Sequence, residues 1–191
     1  MNLLISFNVN TTIGVNIMGN TSRWRGYSFE YTLVKRMNSS HTWYARRFGG
    51  SSTGFPDIVA VNNNERTLLT VEAKTGTSDN LYVPPDQIER CAKILDVFGL
   101  YEKKYVILAF KFMSKRRVRS KGNSGYQYRQ IHEYYKVANR LLIKKIIPTV
   151  KCTYDGRTFV IVNEVAKSIQ LDDYVMPFQQ TIQKVVIHQR A

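Results

Sequence analysis

The stretch from Gly54 to Lys74 constrains this chain more than any other. Two β-prone runs, Asp57-Ile-Val-Ala-Val61 and Thr67-Leu-Leu-Thr-Val-Glu-Ala-Lys74, flank the turn-forming cluster Asn62-Asn63-Asn64-Glu65-Arg66. The pattern predicts a hairpin. Pairing centred on that turn returns Asp57, at the start of the first strand, to the neighbourhood of Glu72 and Lys74 at the end of the second. Side chains alternate along a strand, so Glu72 and Lys74 share one face, while Ala73 points away and leaves its carbonyl near the same edge. Two carboxylates and an ammonium are thereby gathered at one edge of a sheet.

These residue types suit one chemistry in particular. Hydrolysis of a phosphodiester needs a water made nucleophilic at neutral pH and stabilisation of charge on the phosphoryl oxygens. Asp57, Glu72 and the Ala73 carbonyl are hard oxygen ligands of the kind Mg²⁺ takes, with Mn²⁺ as the natural substitute. Lys74 is open to two roles, as the group that orients or deprotonates the water or as a counter-charge for the phosphate. A solvated ion pair on a sheet rim is the competing structural reading of the same triplet.

The company of the triplet favours the chemistry. Pro56-Asp57, a hairpin and then Glu72-x-Lys74 resembles the PD-(D/E)xK nuclease superfamily. More narrowly, Arg25-Gly-Tyr-Ser-Phe-Glu30, Arg46-Arg-Phe-Gly-Gly-Ser51, Leu81-Tyr-Val83 and Ala109-Phe-Lys-Phe112 are similar in order and spacing to the archaeal Holliday junction resolvases. The likeness covers roughly residues 23–112. It implies an α/β fold with a mixed central β-sheet flanked by helices, restriction-endonuclease-like, and a structure-selective endodeoxyribonuclease acting as a homodimer on branched double-stranded DNA. It implies Asp57, Glu72 and Glu30 as metal ligands with the Ala73 carbonyl, and Lys74 beside them. It also puts Arg47 and Ser51 on DNA near the scissile phosphate, with Ser52 as the alternative equivalent of Ser51, and adds Arg25 to the DNA-binding set. The implied compartment is the cytoplasm of an archaeal cell, or of the host of an archaeal virus.

Taken in order, residues 1–22 read as an N-terminal extension. Residues 1–17 are apolar but lack a basic leader and a small-residue cleavage site, so no signal peptide is expected. From Trp24 to Met37 the spacing of Phe29, Leu33, Val34 and Met37 predicts an amphipathic helix, with Glu30 at the margin of its buried face. An acid there calls for a partner. Thr42–Phe48 reads as the first strand, followed by the glycine- and hydroxyl-rich Gly49-Gly-Ser-Ser-Thr-Gly54. After Lys74, Pro85 opens a helix with Ile88, Cys91, Ala92, Leu95 and Phe98 on its apolar face and Gly99 as its stop. Cys91 reads as a core residue and Gln87 as a polar neighbour of the site. Tyr105–Phe110 is a strand buried on both faces.

From Lys103 to His132 the chain has no acidic residue. Lys115, Arg116, Arg117, Arg119 and Lys121 lie in a segment, near 113–130, that reads as a flexible basic loop able to grip phosphates, with Tyr126 and Tyr128 interleaved. Residues 131–178 give Asp155-Gly156 as a hairpin turn and Phe159–Val162 as a strand, but no clear place in the sheet. They complete a single nuclease domain spanning 23–178, and 179–191 reads as a tail.

Composition narrows the class without choosing the enzyme. A chain of 191 residues with 43% apolar content can bury the core of one domain, and 28 Lys+Arg against 14 Asp+Glu give a formal charge of +14 that suits a polyanionic partner. Two cysteines and three scattered histidines make neither a disulfide framework nor a zinc site. There is no apolar stretch of membrane-spanning length and no Walker-type phosphate loop, so neither a membrane anchor nor a nucleotide cofactor is expected. Two other functions use the same residues: a sequence-specific or general restriction-type DNA endonuclease on this core, and a DNA-binding module without catalysis.

Overall fold

The computed structural model describes residues 21–49, 54–120 and 123–179. The expected hairpin is at its centre. β2 (Ile58–Asn62) and β3 (Thr67–Gly76) pair antiparallel from Ile58↔Val71 to Asn62↔Thr67, and the connecting turn closes with Arg66 in the left-handed region at φ 49°. β1 (Tyr44–Arg47) adds antiparallel to β2. On the other side β5 (Lys103–Phe112) runs parallel to β3 over its full length, Thr67↔Lys103 to Gly76↔Phe112, and β8 (His132–Val137) closes the sheet antiparallel to β5. The order β1-β2-β3-β5-β8 is a mixed sheet.

Alternation along these strands feeds two separate cores. Leu69, Val71, Ile107 and Ala109 face α1 (Thr21–Asn38), which buries Phe29, Leu33 and Met37 against them. Leu68, Val106, Leu108 and Phe110 face α2 (Pro85–Val97), which contributes Ile88, Cys91 and Leu95. One helix covers each face, and the central strands read as continuous apolar runs for that reason. Fully burying one such aliphatic side chain stabilises the fold by roughly 1.5–3 kcal/mol.

The second half of the chain has the place that its sequence left open. β4 (Asn80–Val83), β9 (Thr149–Thr153), β10 (Thr158–Val162) and β11 (Val165–Ile169) form a second antiparallel sheet in the order β11-β10-β9-β4, and Val150, Cys152 and Val160 pack into the core on the α2 side. A short helix, α3 (Asn139–Leu142), links β8 to β9. Glu133 on β8 joins three elements: it accepts from Arg36 of α1 at 2.7 Å, pairs with Lys111 of β5 at 3.0 Å and accepts from the Tyr135 hydroxyl at 2.7 Å. Burial alone would raise its pKa, but these donors outweigh burial and hold the carboxyl below the usual range.

The basic segment corrects one expectation. It is a two-stranded antiparallel ribbon, not a loop: β6 (Lys115–Ser120) pairs with β7 (Asn123–Tyr128) from Lys115↔Tyr128 to Ser120↔Asn123. Its root explains why it is ordered. Arg129 donates its amide to the Ser114 carbonyl, and its guanidinium holds Asp79, the Thr77 and Ser78 carbonyls and the Met113 carbonyl; Arg116 pairs with Asp79 as well. Lys115 lies 3.9 Å from the centre of the Tyr126 ring across the strands.

The turn between β9 and β10 is the Asp155-Gly156 turn expected from the sequence. Gly156 has φ 82°, and a Cβ there would come within 2.6 Å of the Tyr134 ring. Both the backbone and the space exclude a side chain. Gly156→Ala is expected to lower the free energy of unfolding by about 2 kcal/mol or more in a urea titration; an unchanged midpoint would contradict this packing.

Candidate active site

The residues of the 54–74 stretch meet at the ends of β2 and β3. Asp57 immediately precedes β2, and its Oδ2 accepts the Ala73 amide at 2.8 Å, which fixes the carboxylate against the outgoing end of β3. Glu72 is fully buried on the α2 side of that strand. Its Oε1 accepts from Lys74 Nζ at 2.7 Å, so the two residues share a face as alternation requires.

A third group completes the arrangement. Arg90, on the second turn of α2, places Nη2 3.1 Å from Glu72 Oε1 and 3.0 Å from Oε2. Arg90 is itself buried. Sequence alone does not mark this residue, because its partner lies 18 positions earlier and the helical signal there is the apolar stripe at 88, 91 and 95. The neighbouring polar residue that was singled out, Gln87, has a buried Oε1 without a partner, and Arg90 Nε is likewise unpartnered one turn away. Behind them, burial pushes the Cys91 thiol up, so Cys91 is un-ionised core, as expected.

Glu30 reaches the same region from α1. It is buried at the helix margin, and the partner it requires is Arg47 of β1, whose Nε lies 2.5 Å from Oε2. The Arg47 guanidinium also stacks over Tyr27 at 4.2 Å. Burial and then the charge of Asp57 raise the Glu30 carboxyl, while Arg47 and Lys74 draw it back; the net direction is upward. Glu72 is raised in the same way, by burial first and by Asp57, against Lys74 and Arg90. Asp57 therefore acts electrostatically on both glutamates.

Three buried carboxylates, Glu30, Asp57 and Glu72, with Asp57 acting on both glutamates, are hard-oxygen donors of the kind a divalent cation takes. Among the described residues no group of three His, Cys, Asp or Glu side chains is positioned to hold a metal ion, and Glu72 is paired with Lys74 and Arg90. Of the other expected contacts, Arg25 lines a cavity with Thr75 and Lys111 beside the end of β3. Lys115 and Arg116 are on the ribbon, and Arg117 and Arg119 belong to the same strand. Ser51, Ser52 and Lys121 lie outside the described residues.

The profile of the family described as archaeal Holliday junction resolvase (Hjc) matches residues 21–182. The chain belongs to that family. The match runs from the first turn of α1 past β11, so it includes the second sheet, well beyond the 23–112 stretch in which the motifs are legible. Among solved structures, Archaeoglobus fulgidus Hjc, a Holliday junction resolvase from an archaeal hyperthermophile, is similar at 22% identity over 68% of this chain and 89% of that one, with a TM-score of 0.44. No curated protein matches the chain. The α/β fold with a mixed central sheet between helices agrees with the expectation, and so does membership of a family of junction-cleaving nucleases. No helix among the described residues is long and apolar enough to cross a membrane.

Two outcomes follow for this family member. Arg90→Ala leaves Glu72 buried with a single partner and is expected to cost about 3 kcal/mol of stability in chemical denaturation; a loss below about 1 kcal/mol would show that Lys74 alone suffices. The raised Glu30 carboxyl means that the folded state binds its proton more tightly than the unfolded chain does. Its ionisation therefore lowers stability as pH rises from about 4.5 through the folded value. Glu30→Gln should melt at a higher temperature than wild type near neutral pH, with the gap closing towards pH 4.5. A gap that widens in acid would contradict this sign.

Proposed function

We propose that this chain is a structure-selective endodeoxyribonuclease that resolves four-way DNA junctions by paired, divalent-metal-dependent phosphodiester hydrolysis, serving recombination and repair in the cytoplasm. One observation carries the reading: Asp57, fixed by the Ala73 amide at the end of β3, lies where it acts on two further buried acids, Glu72 beside Lys74 on β3 and Glu30 on α1. Family membership supplies the four-way substrate.

Asp57, Glu72 and Glu30, with the Ala73 carbonyl, would hold Mg²⁺, and Mn²⁺ would substitute. When bound, the ion supplies a water of lowered pKa and charge neutralisation on the phosphoryl oxygens. The chain's own part is positioning. Arg90 holds Glu72 through both carboxylate oxygens, and Lys74 brings its Nζ to the same carboxylate, where as an ammonium it would orient the attacking water or face the phosphate and as the neutral amine it would take the water's proton. Ser51 and Ser52, on the glycine-rich connection before Pro56, would contact the scissile phosphate.

Phosphate contacts along the arms would come from Arg25, Arg47 and the ribbon cations Lys115, Arg116, Arg117, Arg119 and Lys121. A formal charge of +14 makes such binding strongly salt-dependent. Cutting two opposed strands of a nearly two-fold substrate calls for two sites related by a two-fold axis, hence a homodimer.

The test is cleavage with Mg²⁺ and with chelator, on a four-way junction and on linear duplexes of the same arm sequences. Paired nicks confined to the junction, abolished by chelator and reduced at least about 100-fold in Asp57→Asn and Glu72→Gln with junction binding retained, are expected. Equal cutting of the linear duplexes would replace this reading with a general nuclease.

A further inference from the structure

The outer face of α1 carries large aromatics that the core does not use. Phe29, Leu33 and Met37 are buried, whereas Trp24 is 71% exposed, Tyr31 68% and Tyr27 44%. Positions 24, 27 and 31 recur at helical spacing, so the three rings form one stripe, and it borders Glu30. Two contacts tie the stripe to the acids. Arg47 stacks on Tyr27 while bonding Glu30, and Trp24 walls a cavity of about 260 Å³ that reaches Thr75, the residue after Lys74. On the strand side of the same edge, Phe48 donates its amide to the Asp57 carbonyl, and its exposed ring pairs with exposed Phe55 at 6.2 Å.

Exposed rings interleaved with Arg25, Arg46 and Arg47 make poor docking for an apolar protein surface and good docking for nucleic acid, whose phosphates take the cations and whose bases take the rings. Within a linear duplex every base is stacked above and below. A branch point ends several stacks at once and leaves flat base faces uncovered beside the strand exchange.

We propose that the Trp24–Tyr27–Tyr31 stripe stacks on base faces uncovered at a branch point, and that this contact ranks branched DNA above linear duplex at the Glu30–Asp57–Glu72 site. The proposal rests on the reading that the substrate is branched DNA. It adds the residues that recognise the branch. Both kinds of DNA offer phosphates, so the phosphate-binding cations separate them only through phosphate spacing, whereas uncovered base faces are a feature of the branch itself.

The chain has two tryptophans, and Trp43 is buried against α1, so Trp43→Phe leaves Trp24 as the sole exposed indole reporter. In chelator, titration with a four-way junction is expected to quench Trp24 emission and to shield it from acrylamide, with no such change on linear duplexes of the same arms. A second measurement does not depend on that variant. Trp24→Ala combined with Tyr31→Ala should weaken junction binding about 10-fold or more without changing duplex affinity, and Trp24→Phe should restore most of the loss. A junction bound tightly and selectively with Trp24 silent, or with an affinity that the alanines do not move, overturns the stacking and leaves the resolvase reading standing. Equal affinity for junction and duplex in the wild-type chain overturns both.

Discussion

The buried carboxylate of Glu72, held between Lys74 and Arg90, is the contact on which the rest of this structure depends. A lone carboxylate with no exposure would either protonate or unfold its surroundings. Lys74 from the same strand and Arg90 from the helix above oppose the rise in the Glu72 pKa that burial causes, and Arg90 also docks α2 onto β3. β3 is the central strand of the sheet, antiparallel to β2 and parallel to β5, so the same contact fixes the strand that carries Glu72, Ala73 and Lys74. Glu30 repeats the device on the opposite face, where Arg47 ties α1 to β1. Each glutamate of the site is thus also a clasp between a helix and the sheet, while Asp57 ties the start of β2 to the end of β3.

This arrangement reconciles two opposed charge requirements. The chain is strongly basic overall, as a partner of a polyanion should be, yet Glu30, Asp57 and Glu72 are buried near one another around the ends of β2 and β3. Asp57 raises both glutamates, and that local repulsion is offset by cations from one helix and two strands, Arg90, Lys74 and Arg47. Stability is given up at the site and recovered in the two cores, a common pattern where a chain must hold a reactive geometry.

What the sequence disclosed follows from the range of the interactions. The 57–74 hairpin, the buried face of α1, the proline start of α2 and the doubly buried β5 were legible because turn chemistry and apolar periodicity are local signals. Arg90 was not, since a polar residue facing a carboxylate one sheet layer away leaves no periodic mark. Arg47 was assigned to DNA, and its bond to Glu30 was invisible for the same reason. The 115–128 ribbon read as a loop because its order comes from Arg129 gripping a distant turn at 77–79. β4 finds its partner β9 about seventy residues later, and β11 is largely exposed, so neither showed the alternation that marks a strand packed on one face.

The proposed hydrolysis requires Glu30, Asp57 and Glu72 to act as one cation site and not as separate structural contacts. The most direct measurement is the free-ion electron paramagnetic resonance signal of Mn²⁺ titrated with wild type, Asp57→Asn and Glu72→Gln, each verified as folded by circular dichroism. The account predicts that wild type depletes the free-ion signal stoichiometrically and that either substitution abolishes the depletion. Equal Mn²⁺ uptake by all three proteins would contradict it and would leave these carboxylates as fold-stabilising ion pairs.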